Sequence, residues 1–154
     1  MDHSICFSDV YSVLDNFLGD HAIMILATAE RNRVTARPVN CIINSYRFFF
    51  QTDIRSVKCR QIVANPLVAL CNDSLQIEGV AKVIGAPSLP EHAGLVECYR
   101  SHYPNAFAKY SHLPFEVLIS VDSVLVKVWR ETDGKPGIDI FDIVNQTVRR
   151  ELAT

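Results

Sequence analysis

The chain has 154 residues, 49% hydrophobic and 21% charged, with 15 Lys+Arg against 17 Asp+Glu for a net charge of −2. That length fits one domain, 1–154, whose core is large enough to stand without metal or disulfide staples. The composition argues against disorder and against a basic field of the size that nucleic acid requires. Cys6, Cys41, Cys59, Cys71 and Cys98 form no CxxC pair, and several sit in apolar runs, so they read as reduced, mostly buried thiols of a cytoplasmic protein. The histidines show no HxxxH pair and no adjacent cysteine, so no metal site is expected. The opening MDHSICFSDV has no secretory pattern, and no apolar run reaches membrane-spanning length.

Phe7, Val10, Leu14, Phe17 and Leu18 recur at helical spacing between Ser8 and Gly19, predicting an amphipathic helix over 8–18. The apolar run 22–28 then reads as a buried strand, and 34–43 and 47–52 as two more, joined by a turn at Asn44-Ser45. A helix over 56–64 should stop at Asn65-Pro66, since the residue before proline is pushed out of helical backbone. Strands at 67–71 and 75–84 follow, the second alternating Leu75, Ile77, Gly79, Ala81 and Val83 against Gln76, Glu78, Val80 and Lys82. Ser88-Leu89-Pro90-Glu91 has the form of a capping box, predicting a helix to about His102 and then a loop to Pro114. Alternation resumes through 115–121 and 124–128, Asp133-Gly134 turns into a strand at 138–141, and the tail reads as a short helix carrying Val144, Val148 and Leu152. Many strands with few helices and no β-α-β rhythm predict an antiparallel barrel with helices at its ends. Rossmann, P-loop and nucleophile-elbow motifs are absent.

The segment FFFQTDIRSVKCRQIVANP, 48–66, carries the chemistry. Thr52 ends a strand, Ser56 stands at a helix start, and Lys58 lies in the first helical turn, where free N–H groups already present positive charge. An anion resolves that conflict, and the two hydroxyls, the amides and the ammonium make a phosphate cradle to which Arg37 adds a second charge if the hairpin brings it alongside. The same residues also fit a plain serine cap with two solvated cations. Gln76 offers an amide that both donates and accepts, on a strand face that can equally be solvated, and Trp129 at a strand end fits a core or interface anchor. His102 and His112, flanking Tyr103-Pro104, read either as proton donors or as surface residues.

The order ILAT, ARPVN, FFFQT, SVKCRQIVANPLVAL and IEGVAKVIG resembles the pyridoxamine 5′-phosphate oxidase-like family of FMN-binding split barrels. The resemblance implies a six-stranded antiparallel Greek-key barrel that dimerises with FMN in a cleft between its subunits. It further implies that Arg37, Thr52, Ser56 and Lys58 hold the ribityl phosphate, that the strands at Pro38, Val39 and Gln51 line the ring, and that Gln76 and Trp129 approach it. Val57 stands where the true oxidase has a second basic residue, and the helix and strand that grip its substrate's phosphate match only at Tyr99 and Trp129. The expected protein is thus an unassigned small member, an FMN-dependent oxidoreductase using a small-molecule substrate or nicotinamide reductant. The alternative is a non-catalytic flavin- or haem-storage barrel.

Overall fold

The computed structural model describes residues 4–152. Helix α1 (Asp9–Leu18) precedes strands β1 (His21–Glu30), β2 (Arg33–Asn44) and β3 (Arg47–Asp53), then α2 (Val57–Ala64), β4 (Leu67–Asn72) and β5 (Leu75–Gly85). A single 3₁₀ turn, Pro90–His92, leads into α3 (Ala93–His102) and α4 (Pro104–Tyr110), and β6 (Glu116–Thr132), β7 (Lys135–Asp142) and β8 (Thr147–Leu152) complete the chain. The strands lie in the order β3-β2-β1-β4-β5-β6-β7-β8, and β3 also pairs with β6. Six strands therefore close into an antiparallel barrel, as expected, and β7 and β8 extend from it as a further meander.

The long strand β6 makes this possible. Its first half pairs with β3, from Glu116↔Asp53 to Asp122↔Arg47, and its second half pairs with β7, from Leu125↔Asp142 to Thr132↔Lys135. Along β5 the register slips between Glu78 and Gly79, leaving Val124 as the extra residue of a bulge. Before it Val117, Ile119 and Val121 point inward; after it Val126 and Val128 do. Gly79 is required there, since a Cβ would lie 2.7 Å from Val121 Cγ1 and 2.8 Å from the Asp122 carbonyl oxygen.

One apolar core fills the barrel, built on Met24, Leu26, Phe48, Phe50, Leu70, Ile77, Ile119 and Phe141. Helix α1 adds Val10, Val13 and Leu14 beside the first residues of β1, while α2 adds Cys59 and Ile62 at the opposite end. There the Gln61 side chain is tied to Thr28 and Thr35. A second cluster, Ile42, Phe49 and Tyr99 with Leu95, Tyr103 and Phe107, packs α3 and α4 on the outside of β2 and β3.

Four expectations are corrected. The loop before Pro114 contains α4, since Pro104 takes a first-turn position, where its missing N–H costs nothing. The tail is not a helix: Val148 pairs with Phe141, and β8 gains six backbone partners on β7 that an isolated helix could not match. Ser88 makes no capping hydrogen bond, and the α-helix begins only at Ala93. The cysteines are less buried than expected: Cys41 and Cys59 are enclosed, Cys71 and Cys98 half-buried and Cys6 exposed. No helix among the described residues is long and apolar enough to cross a membrane.

Candidate functional site

At the β3–α2 junction, Ser56 caps the helix by accepting the Cys59 N–H at 3.3 Å, and its Oγ lies 3.3 Å from Thr52 Oγ1. Lys58 follows in the first turn, half-buried. Burial, and then the positive charge of Arg37, push its pKa down, against weaker opposite pulls from Glu116 and Asp53. The Arg37 guanidinium is held beside it by the Thr28 hydroxyl at 2.8 Å, the Leu26 carbonyl at 3.3 Å and the Thr35 hydroxyl. Both threonines donate in turn to Gln61 Oε1 at 2.5 Å, so this arginine is set from behind by a buried polar network. Among the described residues no carboxylate lies within 4.0 Å of Lys58 or Arg37. The Asp53 carboxylate is instead occupied by Arg55, which holds its pKa at about 2.

Lys58 opens onto a cleft of about 480 Å³. Its floor is the outer face of β2, β3 and β6, through Pro38, Asn40, Gln51, Asp53 and Glu116, and its roof is Tyr99, Ala106, Tyr110 and Leu113. Val39 and Thr52 complete the rim. Glu116 is 6% exposed, and burial raises its pKa. The Gln51 amide is held by its neighbours, because Nε2 donates to Ser111 Oγ at 2.8 Å and reaches Glu116 Oε1 at 3.4 Å. The cleft thus pairs a cationic, hydroxyl-rich end with an apolar and aromatic roof and one buried acid. Such a site suits an anionic group attached to a flat apolar body.

Of the residues singled out in sequence, Pro38, Val39, Gln51, Thr52 and Lys58 line this cleft, and Ser56 and Arg37 stand directly behind it. Gln76 and Trp129 do not reach it. Gln76 is on the outer face of β5 opposite Cys71 and Lys127, and Trp129 lies at the far end of β6 from Glu116. That outer face is nonetheless continuous with the cleft floor, since the register runs Pro38–Ile25–Cys71–Gln76–Lys127 across five strands. Sequence reasoning missed Glu116, Asn40, Tyr110 and Leu113. Glu116 joins the site only because β3 pairs with β6, a contact that no local pattern announces.

The model of the family described as pyridoxamine 5′-phosphate oxidase matches residues 13–130, most of the chain. The chain belongs to this family. No curated protein matches it in sequence. Among solved structures, Campylobacter jejuni ChuZ superposes with a TM-score of 0.73 at 12% identity, over 95% of this chain and 64% of that one. HutZ from Vibrio cholerae, described as a haem storage protein, gives 0.62 at 13% identity over 74% and 89%. A FAD-binding protein from Mesorhizobium loti gives 0.54 at 14% identity over 68% and 80%. At these identities the likeness establishes that the oxidase-family split barrel is shared. A protein described as storing haem and one described as binding FAD thus share this scaffold.

Proposed function

We propose that this protein is an FMN-dependent oxidoreductase of a small molecule, working as a homodimer with the flavin at the subunit interface. The observation that carries the reading is the pair of neighbouring cations, Lys58 and Arg37, set beside two hydroxyls with no carboxylate within 4.0 Å of either one among the described residues. Like charges held together in partial burial repel, and a phosphate monoester dianion would neutralise both. FMN ends in such a dianion, whereas the bridging phosphates of FAD carry one charge each. Lys58 would bind the phosphate by charge, Thr52 and Ser56 would donate their hydroxyl protons to it, and Arg37 would add its field from behind.

Bound flavin supplies hydride chemistry at its ring. The chain's residues then bind, orient and exclude water. Pro38 and Val39 offer an apolar strand edge to the ring, Tyr99 and Tyr110 shield it, and the Gln51 amide is aimed by Ser111. Glu116, kept closer to its neutral form by burial, is the group in the cleft best suited to hold or pass a proton at Oε1 or Oε2.

Dimerisation rests on the outer sheet face, where Val34 is 70%, Leu67 64% and Ile23 57% exposed. A contiguous apolar face of that kind beside a cleft is what an isologous interface would cover. A second copy seated there would enclose the cleft floor and bring Gln76 and Trp129 into the shared interface.

The test is the visible spectrum of the purified protein before and after loading with FMN and gel filtration. Flavin bands near one per chain, bleached by NADH or NADPH and restored by an acceptor, would support the reading. A Soret band with haem, or flavin retained but unchanged by reductants, would favour the storage alternative. A colourless protein that refuses FMN would remove both.

A further inference from the structure

The turn after α1 and the end of α3 bring together three side chains that nothing in the flavin reading uses. Asp20 Oδ1 lies 2.9 Å from His21 Nδ1, and Asp20 Oδ2 lies 3.3 Å from His102 Nε2. The two imidazoles stack, with centroids 3.7 Å apart and planes inclined by 12°, and all three ligating atoms fall within 4.8 Å of one another. His21 and Asp20 are exposed and His102 is half-buried, but the two rings have packing partners. Tyr103 packs edge-on against His21 with centroids 5.9 Å apart, and its hydroxyl donates to the Cys41 carbonyl at 2.9 Å, fixing the end of α3 to β2.

We infer that Asp20, His21 and His102 form a binding site for a divalent transition ion of the zinc class. Two imidazole nitrogens and a carboxylate oxygen are a donor set that suits zinc, cobalt and nickel far better than magnesium or calcium. Zinc bonds of about 2.0–2.1 Å in tetrahedral geometry place ligand atoms about 3.3 Å apart, and the two nitrogen-to-carboxylate separations already stand at 2.9 and 3.3 Å. An ion between them would replace two contacts that the imidazoles can make only through a proton, so its binding releases protons. Because the two rings stack nearly parallel, their in-plane lone pairs do not yet converge; binding requires one imidazole to swing out of the stack onto the ion, leaving the fourth position open to water.

The site's place in the fold gives it a consequence. His102 ends the helix that carries Tyr99 onto the cleft roof, and His21 pairs with Ile42, two residues along β2 from cleft-lining Asn40, or about 7 Å. A bound ion would staple the roof helix to the barrel floor. The ion is therefore a positioning element for the cleft, and its binding does not depend on flavin.

The test is titration of EDTA-stripped full-length protein with zinc chloride by calorimetry and with cobalt(II) by visible absorption. Expected are one ion per chain, cobalt d–d bands of four-coordinate intensity, and a zinc-dependent rise in Tm. His21→Ala and His102→Ala should each weaken zinc binding by at least about tenfold to a hundredfold, and the double variant should lose both the bands and the Tm rise. Cys6→Ser should leave them intact. Absence of stoichiometric binding by the wild-type chain overturns the inference, as does binding that survives in the double variant. Should the alanine variants fail to fold by circular dichroism, the wild-type titration and His102→Gln decide it in the same way.

Discussion

Two clusters of charge in this molecule obey the same rule with opposite completion. At the β6–β7–β8 extension, Asp139 is fully buried, with Arg130 Nε donating to Oδ2 at 2.5 Å and Arg150 Nη1 facing Oδ1 at 3.3 Å. One anion is enclosed by two cations of the same chain. At the β3–α2 junction two cations stand together, and among the described residues no carboxylate completes them. The first cluster is closed and structural, since a buried charge persists only when paired. The second is open on the side that faces a cleft, and that asymmetry distinguishes a binding site from a brace.

The largest expected effect tests the closed cluster. Asp139→Ala leaves two guanidiniums facing a buried void, and denaturant unfolding should show a loss of about 3–5 kcal/mol. Flavin binding by whatever remains folded should be unchanged. The open cluster should behave in the reverse way. Lys58→Ala relieves repulsion with Arg37, so stability should hold, while FMN affinity should drop by roughly 1.5–3 kcal/mol in fluorescence titration. Retained affinity would reduce Lys58 to a solvated cation. Leu67→Glu, on the outer face, should convert a dimer to monomers by light scattering without unfolding the barrel, and flavin retention should fall with it. An unaltered mass would place any interface elsewhere.

The smallest effect concerns Glu116. Burial raises its pKa in the folded chain above the ordinary 4.5. The folded state therefore holds its proton more tightly than the unfolded state, so the stability it contributes is present below the ordinary value and declines as pH rises from there through the raised one. Ionisation also puts a negative charge near Lys58, so FMN affinity should decline across the same window. Glu116→Gln should flatten both profiles, and a stability profile that keeps its slope would assign the titration to another group.

Much of this was legible in the sequence where the pattern was local. The alternation of Leu75 to Val83, the Asp133-Gly134 turn and the Asn65-Pro66 stop all hold in the structure, because each depends on backbone preferences of adjacent residues. The Thr52–Ser56–Lys58 spacing is likewise local, and in the structure Thr52 and Lys58 line the cleft with Ser56 beside Thr52. What failed was non-local. Val144, Val148 and Leu152 can be read at helical spacing, yet the free edge of β7 recruits that segment as β8. Glu116 and the Asp20–His21–His102 cluster are invisible in the chain order, since one needs the closing β3–β6 pair and the other needs α3 folded back over β1.

The extra residue at Val124 works like a shift of reading frame. Upstream of it the odd-numbered side chains of β6 enter the barrel; downstream, the even-numbered ones do. One strand thereby feeds a single core with opposite parity on its two halves, with Ile119 and Val121 inside on the first and Lys127 and Trp129 outside on the second. Removing that single residue would drive a lysine and a tryptophan toward the core and strand Val126 and Val128 outside, without altering the composition of the strand at any other position. The function of Val124 is thus one of counting, and almost any residue type could perform it, provided that it is there.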